Sequence, residues 1–296
     1  MEKRRFGKTG FRVSVLGFGA AGSGLKAAPL TTVERLLGKA RDSGLNVIDT
    51  APCYGESEEL IGRAAQCWRK HFYILTKCGH AAGLDFADWT PGLIEKSIER
   101  SLKRLRTDYL DVVQLHSCGE AELRQVDLVA ALKRAQDKGM TRYVGYSGDG
   151  RAAFYAAHCG AFETLQISIN LADQEAIDLV LPVAIEHDLG VIAKRPIANA
   201  AWLGLNFIRP NRRAYWRRLR KLGYDFLRSD QRRTLETALR FTLSVPGVHT
   251  AIVGTTKPAR LEQNAALVER SLEHSQYHEI RTRWRQVASP EWVGLK

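Results

Sequence analysis

The sequence lacks several features that would assign it to a class at once. No run approaches the roughly 18 apolar residues that a membrane-spanning helix needs. The charged residues from Met1 to Gly7 are followed by no apolar segment, so we expect no signal peptide. The five cysteines form no CxxC pair and no zinc-ligand spacing. We therefore predict reduced thiols, a cytoplasmic location, no membrane association and no metal site.

Acidic residues are scarce relative to basic ones. The 296 residues carry a formal net charge of +12, and the sequence pI is near 9.6. Such an excess suits a nucleic acid, an anionic membrane surface or an anionic small ligand, although a solvated basic segment is the commoner explanation. Between residues 197 and 228, Asp225 alone opposes eight cationic side chains, a local net charge of +7: Arg209, Arg212, Arg213, Arg217, Arg218, Arg220, Lys221 and Arg228.

Short apolar runs alternate with longer amphipathic runs along the chain. The apolar runs are rich in Val, Ile and Leu with little alternation, which predicts buried parallel strands. Eight such units favour a (β/α)8 TIM barrel in a single domain over residues 1–296, and an open doubly wound sheet is the alternative. The predicted strands are residues 13–19, 46–51, 72–77, 109–116, 142–147, 164–169, 190–193 and 250–253. The predicted helices are residues 32–43, 57–66, 92–105, 121–138, 151–158, 174–187, 230–244 and 258–268.

Two segments lie outside this repeat. Residues 3–12 predict a short N-terminal β-hairpin, and residues 197–228 predict a long loop after the seventh strand of the barrel. The pattern from Thr31 to Glu34 is typical of a capping box, which predicts a helix start there. Three glycines are placed where C-cap residues end helices, namely Gly44, Gly139 and Gly190.

Three consecutive predicted strands deliver ionisable side chains. Asp49 and Tyr54 follow one strand, Lys77 ends the next and His116 ends the third. Because the C-terminal ends of barrel strands share one face, these four residues should converge. An ammonium beside a phenol favours the tyrosinate, so Tyr54 is a candidate general acid/base, and His116 is a candidate donor to a carbonyl oxygen. Each residue alone could be structural, but the set of four favours catalysis.

These segments resemble the aldo-keto reductases, which are NAD(P)H-dependent carbonyl reductases built on a (β/α)8 barrel. The resemblance covers roughly residues 4 to 268. It implies that Tyr54 is the acid/base, that Lys77 and Asp49 tune it, and that His116 orients the substrate. The matching segments are Asn46 to Ala51 with Tyr54-Gly55, Ser57 to Gly62, Leu75 to Lys77 and Asp111 to His116.

Two glycine-containing segments concern a cofactor. The run from residue 17 to 22, with Gly19 and Ala20, fits GxGxxG, but that motif should open directly into a helix and the predicted helix begins only at residue 32. In a barrel these glycines would let the first strand turn close to a ligand, and a plain strand-ending turn is the equal alternative. Residues 253–264 combine a strand end, a polar loop and a helix start with Arg260, which suits a phosphate; ordinary helix capping is the alternative. The resemblance implies that the adenosine 2′-phosphate and adenine contact Gly254, Thr255, Thr256, Arg260, Gln263 and Asn264. Many members carry a lysine near Gly254, and its loss weakens a strict NADPH preference that Arg260 still favours.

The nicotinamide end departs from the family pattern. Ser147 is followed by Gly148 where the family often has Asn, whereas Gln166 fits the family as a carboxamide partner. Lys194 replaces the tyrosine that many members stack on the nicotinamide. Lys194 and Arg195 are candidate contacts for the pyrophosphate or an anionic substrate, and a structural lysine is the alternative. The family's loop at residues 197–228 folds over the pyrophosphate, which would account for its basic charge without nucleic acid.

The sequence thus predicts an oxidoreductase that transfers a hydride between NADPH, with NADH possible, and a small aldehyde, ketone, alcohol or sugar-like compound. Three alternatives remain open. The first is a cofactor-binding regulatory or redox-sensing protein with weak turnover, and the second is a barrel lyase that forms a Schiff base through Lys77. The third is nucleic-acid binding through the basic insertion, although we expect neither a nucleic acid nor a membrane as partner. The sequence leaves the oligomeric state open.

Overall fold

Eight parallel strands close into a barrel. The computed structural model describes residues 1–21, 25, 28–204 and 210–295. The barrel strands are β3 (Leu16–Gly19), β4 (Val47–Asp49), β5 (Tyr73–Cys78), β6 (Leu110–His116), β7 (Thr141–Ser147), β8 (Thr164–Ser168), β9 (Gly190–Lys194) and β10 (Thr250–Val253). Each strand pairs with the next in sequence, and β10 closes the ring by pairing with both β9 and β3. The predicted (β/α)8 barrel is confirmed, and the open sheet is excluded.

The predicted N-terminal hairpin is also confirmed, and it closes the N-terminal end of the barrel. Strands β1 (Lys3–Arg5) and β2 (Arg12–Ser14) pair antiparallel around a 3-10 turn. Phe11 stacks on Tyr73 with ring centroids 4.3 Å apart and meets Tyr143 edge-on at 5.0 Å. These rings form one buried cluster with Val47, Leu75, Val112 and Ile192. Ligands therefore reach the barrel interior from the opposite, C-terminal face.

The helices follow the strands in the predicted alternation. They are α1 (Leu30–Asp42), α2 (Ser57–Ala64), α3 (Pro91–Leu105), α4 (Glu120–Leu123), α5 (Val126–Asp137), α6 (Gly150–His158), α7 (Glu175–Leu179), α8 (Leu181–Glu186), α9 (Pro210–Leu222), α10 (Gln231–Ser244), α11 (Pro258–Leu267) and α12 (His274–Val287). Helix α12 was not predicted. In the described part of the chain, no helix combines the length and apolar character that a bilayer crossing requires.

Two predicted helices are each divided in the structure. The segment 121–138 forms α4 and α5, because Gln125 between them adopts extended backbone angles. The segment 174–187 forms α7 and α8. Pro182 lies in the first turn of α8, where its missing N–H costs no hydrogen bond, and it could not lie within a continuous helix without removing one.

The predicted capping box at Thr31 is wrong. Helix α1 begins at Leu30, and Pro29 at its N-cap position has φ −57°, so Thr31 already lies in the first turn. Gly44 and Gly139 have φ of +80° and +71°, as predicted for residues that end helices. Gly190 instead begins β9, and a Cβ there would lie 2.8 Å from the Phe6 ring, so close packing against the hairpin explains this glycine.

The insertion after β9 is partly helical. Its described residues form a 3-10 segment (Ala198–Leu203), helix α9 and a second 3-10 segment (Asp225–Arg228). Helix α9 buries Tyr215, Leu219 and Leu222 and exposes Arg213 and Arg217. This spacing explains why a segment with so many cations still packs on the barrel. Residues 22–24, 26–27, 205–209 and 296, which include predicted positions Gly22 and Arg209, lie outside the described residues.

Candidate active site

The four residues predicted to converge do so at the C-terminal face of the barrel. Lys77 Nζ lies 2.7 Å from Asp49 Oδ1 and donates to the Thr50 carbonyl oxygen at 2.8 Å. The same nitrogen lies 5.2 Å from the centroid of the Tyr54 ring. Tyr54 in turn meets His116 edge-on, with ring centroids 5.9 Å apart. Phenol, ammonium, carboxylate and imidazole are therefore within reach of one small molecule.

A buried hydrogen-bonded frame fixes the turn that presents Tyr54. The Tyr54 N–H donates to the Ala51 carbonyl at 3.0 Å, and Gly55 follows with φ +65°, a conformation that favours glycine. Beneath the turn, the buried hydroxyls of Thr50 and Ser57 lie 2.7 Å apart. These contacts connect the end of β4 to the start of α2, so the protein's own hydrogen bonds hold the phenol beside Lys77.

Burial and charge set the protonation states of this group. Burial lowers the pKa of Lys77, but Asp49 and Tyr54 outweigh it, so the net shift is upward and the ammonium stays charged. Burial raises the pKa of Tyr54, and Lys77 opposes this shift without overcoming it. The sequence argument had the Lys77 effect in the right direction, but the net direction it implied for Tyr54 is wrong. At neutral pH Tyr54 is a protonated phenol.

His116 is a neutral imidazole. Burial, with the nearby charge of Lys77, lowers its pKa to about 2. Its Nδ1 lies 3.7 Å from the Cys53 Sγ, and its backbone carbonyl accepts a hydrogen bond from the Trp89 indole at 3.3 Å. A neutral imidazole carries one N–H, so His116 can donate a hydrogen bond without adding a positive charge beside Lys77.

These side chains line a cavity of about 510 Å³. The cavity wall contains ten of the residues that the sequence assigned to catalysis or the cofactor: Gly19, Asp49, Tyr54, Lys77, His116, Ser147, Gln166, Lys194, Arg195 and Gly254. Ala20 is not among the lining residues; it is buried, and its N–H donates to the Asp49 carbonyl at 2.8 Å, while Ala21 lines the cavity instead. Gln166 Oε1 is buried without a hydrogen-bond partner among the described residues. It therefore offers an acceptor that a carboxamide N–H would satisfy.

Lys194, which lines this cavity, belongs to a second Lys–Asp pair. Lys194 Nζ lies 2.9 Å from Asp149 Oδ2, and Arg195 approaches the same oxygen at 3.9 Å. Asp149 also accepts from the Ser168 N–H at 2.6 Å. Burial lowers the pKa of Lys194, and Asp149 opposes that shift in part. The sequence analysis missed Asp149, although an Asp followed by a helical pattern is a recognisable helix start.

Gly148, next to Ser147, packs tightly against the Tyr146 side chain. A Cβ at Gly148 would lie 2.1 Å from the Tyr146 hydroxyl oxygen. That hydroxyl donates to the Cys118 carbonyl at 2.7 Å, so the tyrosine is held in place. Asn, the residue that the family often has at position 148, would require Tyr146 to move.

A second cavity of about 450 Å³ adjoins the first. The two share Ile197, Ala200, Val253 and Gly254, which stand at their junction. Five residues predicted to surround an adenosine phosphate line the second cavity, namely Gly254, Thr255, Arg260, Gln263 and Asn264. Thr256 lies in the same loop but is not among the lining residues. Arg232 and Gln231 of α10, which the sequence analysis did not select, line the opposite side.

The two joined cavities fit an elongated anionic ligand with a carboxamide at one end. Gln166 supplies an unsatisfied acceptor at one end, and Arg260 stands in the first turn of α11 at the other. The N-terminus of a helix with a nearby Arg suits a phosphate group. Among the described residues, no cluster of three or more His, Cys, Asp or Glu side chains could hold a metal ion.

The comparisons with known proteins agree with this geometry. The model of the aldo/keto reductase family matches residues 15–285. The L-galactose dehydrogenase of Arabidopsis thaliana is 27% identical over 291 residues, which cover 90% of this chain and 88% of that protein. The D-threo-aldose 1-dehydrogenase of a Pseudomonas species is 27% identical over 298 residues, covering 86% of this chain and 89% of that protein.

A solved structure gives the same result for the fold. A protein of Pseudomonas aeruginosa, described as an aldo-keto reductase, superposes with a TM-score of 0.72 at 29% identity and covers 90% of this chain and 94% of that one. The family resemblance read from the sequence is confirmed, and the protein is an oxidoreductase. The chain belongs to the aldo/keto reductase family.

Proposed function

We propose that this protein is an NADP(H)-dependent oxidoreductase that reduces an aldehyde or ketone, or oxidises the corresponding alcohol, with Tyr54 as the general acid/base. The observation that carries the proposal is the buried Tyr54–Lys77–Asp49 group beside His116. It stands at one end of two joined cavities whose other end carries Arg260. Proton transfer and dinucleotide binding thus have separate places in one continuous site.

The residues of the two cavities fit the cofactor. Ser147 and Gln166 would bind the carboxamide, with Gln166 Oε1 as the acceptor that lacks a partner among the described residues. Lys194 and Arg195 line the same cavity and would bind the pyrophosphate or an anionic substrate. Arg260 would bind a 2′-phosphate, which favours NADPH over NADH. The residues proposed around the adenosine end are Gly254, Thr255, Thr256, Gln263 and Asn264.

The protein's own residues supply the proton and orient the substrate. When bound, the reduced nicotinamide supplies the hydride that the carbonyl carbon receives. Tyr54 donates its phenolic proton to the carbonyl oxygen as that oxygen becomes an alkoxide. Lys77 then stabilises the tyrosinate, and Asp49 holds the ammonium at 2.7 Å. His116 donates a hydrogen bond that places the carbonyl oxygen between imidazole and phenol. In the oxidation direction Tyr54 accepts the alcohol proton.

The lining of the larger cavity favours a polar substrate. Eleven of its nineteen described lining residues carry charged, hydroxyl, amide or imidazole groups, and Tyr54 and His116 are the aromatic rings among them. Such a wall offers several hydrogen bonds to the hydroxyl groups of a ligand. The names of the two dehydrogenase relatives, both of which refer to sugars, agree with this character. We propose a small hydroxylated aldehyde or a sugar as the substrate class.

The Schiff-base alternative is disfavoured by the charge of Lys77. A nucleophilic lysine must be a neutral amine, whereas Asp49 and Tyr54 raise the pKa of Lys77 despite its burial. The regulatory alternative predicts tight cofactor binding without multiple turnover. An assay of turnover with and without the nicotinamide cofactor distinguishes both alternatives from the proposal.

Parallel fluorescence titrations with NADPH and NADH, followed by turnover assays, test the proposal. We expect NADPH to bind more tightly, and we expect Arg260→Gln to reduce this preference while NADH binding serves as the internal control. Tyr54→Phe should keep cofactor affinity but lose at least about 10²-fold in kcat. If the protein binds neither cofactor, or if Tyr54→Phe retains near-normal kcat, the proposal is wrong.

A further inference from the structure

The loop from Gly79 to Trp89, between β5 and α3, is closed by its own hydrogen bonds. The Trp89 N–H donates to the Gly79 carbonyl at 2.7 Å, which joins the two ends of the loop. Arg100 of α3 donates to the Ala82 carbonyl at 2.9 Å. Gly79 has φ +111°, and a Cβ there would lie 2.8 Å from the Trp89 ring, so the closure depends on glycine. The loop therefore presents its side chains at fixed positions.

His80 is the side chain that this loop places beside the catalytic group. Its ring lies 5.2 Å from the His116 ring and 4.9 Å from the Trp89 ring, measured between centroids. Since His116 lies 5.9 Å from Tyr54, the three rings form a row that begins at the proposed proton donor. The His80 side chain is 32% exposed, so a small ligand can reach it.

Asp88 fixes the orientation of the His80 ring. The His80 Nδ1 lies 2.8 Å from Asp88 Oδ2, and the other carboxylate oxygen accepts from the Ala81 N–H at 2.8 Å. The bond to His80 lowers the pKa of Asp88, so this carboxylate is ionised at neutral pH. An ionised carboxylate accepts hydrogen bonds, so Nδ1 must be the donor, and Nε2 is left for a ligand.

Loop closure does not require the imidazole. The Trp89–Gly79 bond, the Ala81–Asp88 bond and the Arg100 contact already tie the loop together. A part-exposed His–Asp pair adds little to stability. An oriented ring beside the catalytic histidine is thus better explained by an interaction with the substrate.

We propose that His80, oriented by Asp88, binds the hydroxyl group on the carbon next to the reacting carbonyl. His80 is then a specificity-determining residue that selects 2-hydroxyaldehydes and sugars over plain aldehydes. The inference rests on the proposed function, because it places the carbonyl oxygen between Tyr54 and His116. A site built to bind a hydroxyl discriminates strongly against the analogue that lacks it.

The test compares lactaldehyde with propanal, which differ by one hydroxyl group at the carbon next to the aldehyde. The measured quantity is the ratio of kcat/KM for the two aldehydes with NADPH. Comparing this ratio between variants cancels the different hydration of the two aldehydes in water. We expect the ratio to fall about tenfold in His80→Phe, which keeps a flat ring against Trp89 and removes both ring nitrogens. Asp88→Asn should lower it by a smaller factor, about threefold, because the amide oxygen can still accept from Nδ1.

A matched control lies in the same loop. Asp85 is an exposed carboxylate three residues from Asp88, and Asp85→Asn should keep the wild-type ratio. An equal loss for both aldehydes in His80→Phe would assign a structural role to His80 and overturn the inference, as would an unchanged ratio. Failure of the proposed function itself looks different, because then the wild-type protein turns over neither aldehyde with NADPH or NADH.

Discussion

The two Lys–Asp pairs beside the larger cavity have similar N–O distances, but the pKa values of their lysines shift in opposite directions. Lys77 and Asp49 lie 2.7 Å apart, and Lys194 and Asp149 lie 2.9 Å apart. The pKa of Lys77 is raised, whereas that of Lys194 is lowered. Burial lowers the pKa of both ammonium groups, and their charged neighbours differ.

The neighbours differ in how the carboxylate is shared. Lys77 also donates to the Thr50 carbonyl and faces Tyr54, so its ammonium group has stabilising partners in addition to Asp49. Asp149 divides its charge between Lys194 and Arg195, and the neighbouring guanidinium disfavours a second cation. A short Lys–Asp distance therefore does not by itself define the charge state of the lysine. The first pair is suited to stabilising a tyrosinate, and the second to meeting an incoming anion.

The largest expected effect is the difference in kcat between variants of the two lysines. Lys77→Met should lower kcat about 10³-fold, because the tyrosinate loses its counter-ion. Lys194→Met should lower kcat at most about tenfold and act mainly on the cofactor dissociation constant. Steady-state kinetics and cofactor titration of both variants measure the difference. Equal losses in kcat would show that the two pairs do not have separate roles.

The next largest effect is the difference in the free energy of unfolding between variants of the two aspartates. Asp49→Asn leaves Lys77 buried and charged without its partner, which should cost about 3–5 kcal/mol in the free energy of unfolding. Asp149→Asn should cost about 1–3 kcal/mol, since Lys194 is already closer to losing its proton and the amide oxygen can still accept from the Ser168 N–H. Urea unfolding at neutral pH measures both values. A larger loss for Asp149→Asn contradicts the proposed asymmetry.

The pH dependence of stability should have opposite signs for the two lysines. Between the lowered pKa of Lys194 and 10.5, the unfolded chain binds more protons at this lysine, so its contribution to stability rises with pH. Above 10.5 the native state binds more protons at Lys77, so that contribution falls as pH rises. Each slope is at most about 1.4 kcal/mol per pH unit. Lys194→Met should remove the rise and Lys77→Met the fall, measured by urea unfolding from pH 8.5 to 11.

The smallest effect concerns the second pair alone. Ser168 Oγ accepts from Arg195 at 3.0 Å and contacts Asp149 at 3.3 Å. Ser168→Ala should cost about 1 kcal/mol of stability and weaken cofactor binding two- to threefold, a change of roughly 0.5 kcal/mol. Thr164→Val on the same strand is the matched control, because the buried Thr164 hydroxyl has no hydrogen-bond partner among the described residues. If the control loses as much affinity, the effect belongs to the strand and not to the pair.

The sequence was most informative where function depends on the position of a residue in a strand. Asp49, Lys77 and His116 could be found because barrel topology brings the C-terminal ends of strands together, whatever the loops do. Asp149 follows the end of β7 by two residues, so its position at this face could have been predicted, but its pairing could not. Its partner Lys194 belongs to a strand two positions further along the barrel, and nothing local in the sequence signals that pairing.

Properties that depend on how deeply a group is buried could not be predicted from the sequence either. The net pKa direction of Tyr54 follows from its burial, which outweighs Lys77, and burial is set by the packed structure. His80 and Asp88 were overlooked for a related reason, since their contact depends on a loop closed by Gly79 and Trp89. Loop geometry of this kind is defined by tertiary contacts rather than by residue type.

The closure of the barrel floor by the N-terminal hairpin has a consequence for the order of binding. Phe11 and its aromatic neighbours block the N-terminal end, so under the proposed function the cofactor and the substrate both enter through the C-terminal face. If the bound substrate covers the nicotinamide, the cofactor must arrive first and leave last. High substrate concentrations should then slow turnover by delaying cofactor exchange, a kinetic signature that originates at the opposite end of the barrel from the chemistry.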